Sequence, residues 1–99
     1  MNFEIAPKET EIQANWDDAK LYCLSLNVDG KTEWRLPTKD ELNQISIQID
    51  LLGYFYTGGY WSSSESYSTY ACSQWFTEGD PYCLSDKRSP YYVRAIRAF

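Results

Sequence analysis

The apolar residues of this 99-residue chain change period at Gly53, and that change limits what it can fold into. Before it, Trp16, Ala19, Cys23 and Leu26 are spaced by threes and fours, and Leu42, Ile45, Ile49 and Leu52 repeat the spacing. Each set is one buried stripe of a helix. After it, short runs rich in Tyr, Trp and Val alternate with turn residues, the pattern of strands. Two helices followed by, and packed on, a small antiparallel sheet is an α+β plan. The length suits a single domain over residues 1–99, and with aromatics at 17% of the chain a few large rings can fill its core.

Local signals place the elements. Asn15 is a good N-cap with Asp17 and Asp18 in the dipole-favoured first turn, and Asn27 to Lys31, containing Asp29-Gly30, ends that helix in a turn. Proline holds Leu36 extended in Trp34-Arg35-Leu36-Pro37, and Thr38 with Glu41 forms a capping box for a helix that ends by Gly53. Phe3 to Ile5 reads as an edge strand, followed by a polar connector from Pro7 to Thr10. Further strands are expected near Tyr60 to Ser63, Tyr70 to Phe76, Tyr82 to Leu84 and Tyr91 to Ala98, with a turn at Glu78-Gly79-Asp80-Pro81 and with Trp61 and Trp75 in the core.

Thirteen of the eighteen residues from Gly53 to Tyr70 are Tyr, Ser or Gly, a composition suited to contact rather than catalysis. Tyrosine offers a rigid amphipathic surface with little rotamer entropy to lose, and Ser and Gly adapt around it. Tyr54, Tyr56, Tyr60, Tyr67 and Tyr70 are the candidate partner-binding anchors, with Glu65, Glu78 and Asp80 as steering charges. The competing reading makes these rings the core of a small β-rich domain. The stretch from Asp40 to Asp86 holds seven acids and no Lys or Arg, and the formal net charge is -5. Such a surface would repel nucleic acid directly and attract the basic grooves of proteins that bind it.

Several classes fall away on residue content. The chain has no His, and no carboxylate, Lys or Cys is paired with a nucleophile at a catalytic spacing, so no catalytic residue is assigned. Three cysteines, Cys23, Cys72 and Cys83, lack CxxC spacing, which argues against zinc, and neither a metal nor a cofactor is expected. A Cys72–Cys83 bridge is conceivable in an oxidising compartment. Reduced, partly buried thiols are the expectation for a chain without an export leader, and since a turn centred on Gly79 would set Trp75, not Cys72, opposite Cys83, no active dithiol is assigned. With no apolar run near the length of a membrane span, a cytoplasmic location is expected.

Taken in order, Trp16-Asp17-Asp18-Ala19 with Tyr22-Cys23, Trp34-Arg35-Leu36-Pro37-Thr38 with Glu41-Leu42, Tyr60-Trp61-Ser62-Ser63-Ser64-Glu65, Trp75-Phe76 and Tyr92-Val93-Arg94-Ala95-Ile96-Arg97 form a signature over about residues 15–99. It resembles the bacterial and phage family typified by the C-terminal domain of a collagen-like adhesin, the Lcl C-terminal domain. The resemblance implies a C-type lectin-like fold, related to formylglycine-generating enzymes and to retroelement variable proteins. It further implies termini joined in a small sheet, flanking helices, and structural roles for Arg35 and Arg94 as ties to carboxylates or carbonyls. The Glu-Pro-Asn, Gln-Pro-Asp and Trp-Asn-Asp motifs of calcium-dependent sugar-binding lectins are missing. The expected function is non-enzymatic protein binding through the Tyr/Ser/Gly-rich acidic surface. Its concrete form is a small phage-encoded inhibitor of a nucleic-acid-binding host defence complex, of anti-CRISPR or anti-restriction type. The alternative is a glycan-binding module of adhesin type.

Overall fold

The computed structural model describes residues 2–48, 55–77 and 79–99. Its elements run β1 (Phe3–Ile5), a 3-10 turn (Lys8–Thr10), β2 (Ile12–Ala14), α1 (Trp16–Ser25), α2 (Lys39–Ile47), β3 (Gly59–Tyr67), β4 (Tyr70–Trp75), β5 (Tyr82–Asp86), β6 (Tyr91–Val93) and β7 (Ile96–Ala98). A five-stranded sheet has the order β2-β6-β3-β4-β5, and β1 pairs with β7 in a second sheet of two strands. All neighbours are antiparallel except β3 and β6, which meet in parallel at Tyr60 and Tyr92. The fold is α+β, as expected, with a mixed rather than purely antiparallel main sheet.

Both helices form where local chemistry starts them. The Asn15 side chain accepts the Asp18 amide at 2.9 Å, which satisfies one of the donors left over at the start of α1. At α2 the box is complete: Thr38 Oγ1 accepts the Glu41 amide at 3.2 Å and Glu41 Oε1 accepts the Thr38 amide at 2.8 Å. Between them Val28 and Lys31 bridge across a turn whose Asp29 and Gly30 have φ of 51° and 86°, a left-handed pair that Asp and Gly tolerate. The outer stripe residues Ile49 and Leu52, and the helix end at Gly53, lie outside the described residues.

The helices cover opposite faces of the sheet. Trp16, Ala19 and Cys23 of α1 join Trp34, Leu36, Trp61, Ala71 and Val93 in one core, while Leu42 and Ile45 of α2 join Phe3, Tyr60 and Ile96 in the other. Adjacent residues of β3 therefore point into different cores: Trp61 toward α1 and Tyr60 toward α2. Each buried indole N–H has a carbonyl to donate to. Trp16 reaches Ser62 at 2.8 Å, Trp34 reaches Lys31 at 2.9 Å and Trp61 reaches Ala14 at 2.9 Å. Gly59 is required by the packing, because a Cβ there would sit 2.9 Å from the Trp75 ring. Trp75 itself is half-buried rather than a core residue.

Three expectations are corrected. Between the Pro7 to Thr10 connector and α1 lies an additional strand, β2, which pairs Ile12 with Val93 and Ala14 with Tyr91. The single strand expected over Tyr91 to Ala98 is two, because Arg94 and Ala95 carry the chain from the main sheet to the terminal pair. Cys72 and Cys83 are joined in a disulfide instead of being reduced. The connection after β4 occupies residues 76–81, wider than a tight turn at Gly79, and the register slips between Ala71 and Ser73, so Cys83 comes to face Cys72. Thiol titration of the denatured, non-reduced protein is predicted to find one free thiol, Cys23; three would contradict this pairing. Reduction or Cys72→Ser should lower stability in urea by about 3 kcal/mol, through the freed loop in the unfolded chain.

Candidate functional site

The tyrosine-rich stretch is divided by the pleat of β3. Tyr60 is fully buried and cannot serve as a contact anchor, which corrects that assignment. Its ring stacks on Phe76 at 4.9 Å and on Tyr92 at 5.4 Å, and Tyr92 stacks on Tyr56 at 4.9 Å. Its hydroxyl donates to Glu11 Oε1 at 2.5 Å, and burial followed by this bond raises the phenol well above its ordinary pKa.

Glu11 is tied in turn to Arg94 at 3.2 Å, with side-chain exposures of only 4% and 6%. Arg94 also donates to the Ala6 carbonyl at 3.3 Å and lies 4.3 Å over the Phe55 ring. Arg35 donates to both oxygens of Glu41 at 2.7 and 2.9 Å, holding that carboxyl below its ordinary pKa. These two arginines bind carboxylates and carbonyls of their own chain, as the motif resemblance implies.

The outward rings are at the other end of the same stretch. Ser68 and Thr69 turn β3 back into β4, and Tyr67 and Tyr70 close the hairpin as a direct pair, edge to face at 6.3 Å. Tyr67 is 65% exposed and Tyr70 38%. Asp86 pairs across from Tyr70, and Leu84, two residues earlier on β5, shares their face and is 52% exposed. A cleft of 490 Å³ opens beside them, bounded by the hairpin tip, by Asp86, Lys87 and Arg88, and by Asp17 at the start of α1.

Tyr56 is also exposed but stands apart, beside Tyr92 and Glu11. Tyr54 and Glu78 lie outside the described residues, and Asp80 is exposed in the β4–β5 connection. Sequence reasoning missed Leu84 and Tyr82 as surface residues. Their signal was the apolar run Tyr82 to Leu84 in a strand whose edge position no local pattern announces.

Three acids of the lysine-free stretch, Glu41, Glu65 and Asp86, are paired with cations from outside it. Glu65 accepts Lys87 at 2.7 Å and is lowered in pKa chiefly by that bond, while its side chain stays 55% exposed. Asp86 accepts Arg88 at 2.8 and 3.1 Å, which pulls its carboxyl down to about 2. Asp40 and Asp80 remain exposed. Among the described residues no three His, Cys, Asp or Glu side chains gather where a metal ion could sit.

Arg94→Ala should cost about 3–5 kcal/mol in urea unfolding, because it strands the Glu11 carboxylate in the interior. Tyr67→Ala should stay within about 0.5 kcal/mol of the parent, as an outward ring does.

No curated protein matches the chain. The Lcl C-terminal domain family matches residues 4–97, nearly its whole length. The terminal sheet, the paired arginines and the buried tryptophans are what those motif residues build, and the chain belongs to the Lcl C-terminal domain family.

Proposed function

We propose that this domain is a non-enzymatic protein-binding domain whose contact surface is centred on Tyr67 and Tyr70. The observation that supports it is the exposure of both rings on a two-residue hairpin that β5 and the Cys72–Cys83 bond brace from behind. Rigid aromatic side chains on a braced hairpin lose little entropy on binding, so most of their contact energy appears as affinity. The thiol left outside the bridge, Cys23, is buried and pushed up to about 12, a poor nucleophile, which favours binding over covalent chemistry.

In its concrete form the domain is a small phage-encoded inhibitor of a host defence protein, acting in the cytoplasm on a nucleic-acid-binding complex without touching nucleic acid itself. The net charge of -5 supports long-range attraction to a basic groove. The local pairing of Glu41, Glu65 and Asp86 favours contact by the tyrosines over phosphate mimicry by those carboxylates. Among the described residues no helix is long and apolar enough to cross a membrane.

The second reading is a glycan-binding module of adhesin type with the lectin-like kinship implied by the motifs. It is favoured by one observation, the disulfide, since such bonds persist in oxidising compartments outside the cytoplasm. For that reading the ligand site is the cleft between Tyr70, Asp86 and Arg88.

Pull-down from bacterial lysate with the parent and with the Tyr67→Ala/Tyr70→Ala variant separates these. The protein-binding reading predicts a partner whose affinity drops by about tenfold or more per ring, roughly 1.4 kcal/mol each, while the folded variant keeps its urea midpoint. Equal retention by both proteins contradicts it. Binding on a glycan array that the same substitutions abolish, with no protein captured, would put the second reading in its place.

A further inference from the structure

The five-stranded sheet ends in β2 on one side and β5 on the other. β2 is three residues long and leads directly into α1, whereas β5 presents five residues with Tyr82 and Leu84 more than half exposed. The Lys87 amide donates to the Thr69 carbonyl at 3.1 Å, and Ser85 pairs with Ala71. By alternation the backbone groups of Lys87 and Ser85 turn toward β4, and those of Asp86 between them turn away from it. An outward N–H and C=O on a strand fixed in place is a template for another strand, and proteins guard such edges with Lys or Pro. Neither occurs from Tyr82 to Asp86, and the disulfide pins this edge strand to β4.

The charges that flank β5 decide what fits. Asp80 precedes the strand, and Lys87 and Arg88 follow it. A segment acidic at its start and basic at its end is complementary to itself when it runs antiparallel. The Arg88 side chain stays 90% exposed although it is bound to Asp86, so its guanidinium remains open to a second carboxylate.

We propose that β5 is a self-association edge, which pairs antiparallel with β5 of a second copy of this chain about a two-fold axis near Leu84. Leu84 then faces Leu84 of the other copy, and Asp80 of each copy reaches Arg88 of the other. The contact is isologous and closed, so it yields a dimer and not a filament. Strand pairing across such an axis keeps like faces on one side. The Tyr67–Tyr70 surfaces of the two copies therefore share one face of a continuous sheet and can engage two sites at once. The dimer goes beyond the binding function and does not depend on it.

Light scattering on the intact, oxidised chain over a concentration series tests this. The expected result is a mass that rises from one chain to two and falls again as salt is raised. Leu84→Pro removes an amide from the middle of the edge strand, and it should leave a monomer whose sheet signal in circular dichroism is retained. Asp80→Arg and Arg88→Asp set like charges against each other in their own homodimers, so each alone should be monomeric. Mixed in equal amounts they place opposite charges at both ends of the interface and should recover the dimer. A monomer at every concentration overturns the proposal, as does a dimer that none of these substitutions changes.

Discussion

The alternation of Tyr60 and Trp61 on β3 is the constraint on which the rest of the structure depends. β3 lies at the centre of the main sheet with a helix over each face, so neighbouring side chains enter separate cores. A one-residue slip would exchange a ring that donates to Glu11 for one that donates to Ala14, leaving both donors without partners. The register is thus fixed by polar satisfaction as much as by volume. Arg94 completes the arrangement: it neutralises Glu11 and marks the point where the chain leaves β6 for the terminal pair.

That division also shapes the surface. The inward end of β3 feeds an aromatic ladder from Phe76 through Tyr60 and Tyr92 to Tyr56, and the outward end extends past α2 to the Tyr67–Tyr70 hairpin. One composition serves both purposes, because tyrosine can be buried when its hydroxyl finds a carboxylate and exposed when its ring is braced from below. Lys87 shows the same economy. Its ammonium lies 4.1 Å over the Trp16 ring while bonding Glu65 and the Ser68 carbonyl, so a single side chain joins α1 to the hairpin tip.

The helices were legible because their causes are local: the Asn15 cap and the Thr38–Glu41 box are written within four residues. β2 was not, since Ile12 to Ala14 become a strand only by pairing with β6 near the far end of the chain. The disulfide was hidden for a similar reason, because the width of the 76–81 connection and the slip beside Cys72 are set by packing across strands. The candidate surface was legible in composition but not in detail. A strand covered on both faces shows no alternation of polar and apolar residues, so nothing near Tyr60 distinguished it from Tyr67. The pairing of the acids was not legible either, because Arg35, Lys87 and Arg88, which bond Glu41, Glu65 and Asp86, lie outside the lysine-free stretch.

Hydroxyl-radical footprinting read residue by residue tests the central division most directly. Tyr67 should be modified at close to the rate of a free tyrosine, while Tyr60 and Trp61 stay protected until the protein unfolds. Modification of Tyr60 in the folded protein at a rate comparable to Tyr67 would contradict the inward assignment, and with it both the two-core architecture and the contact surface derived from it.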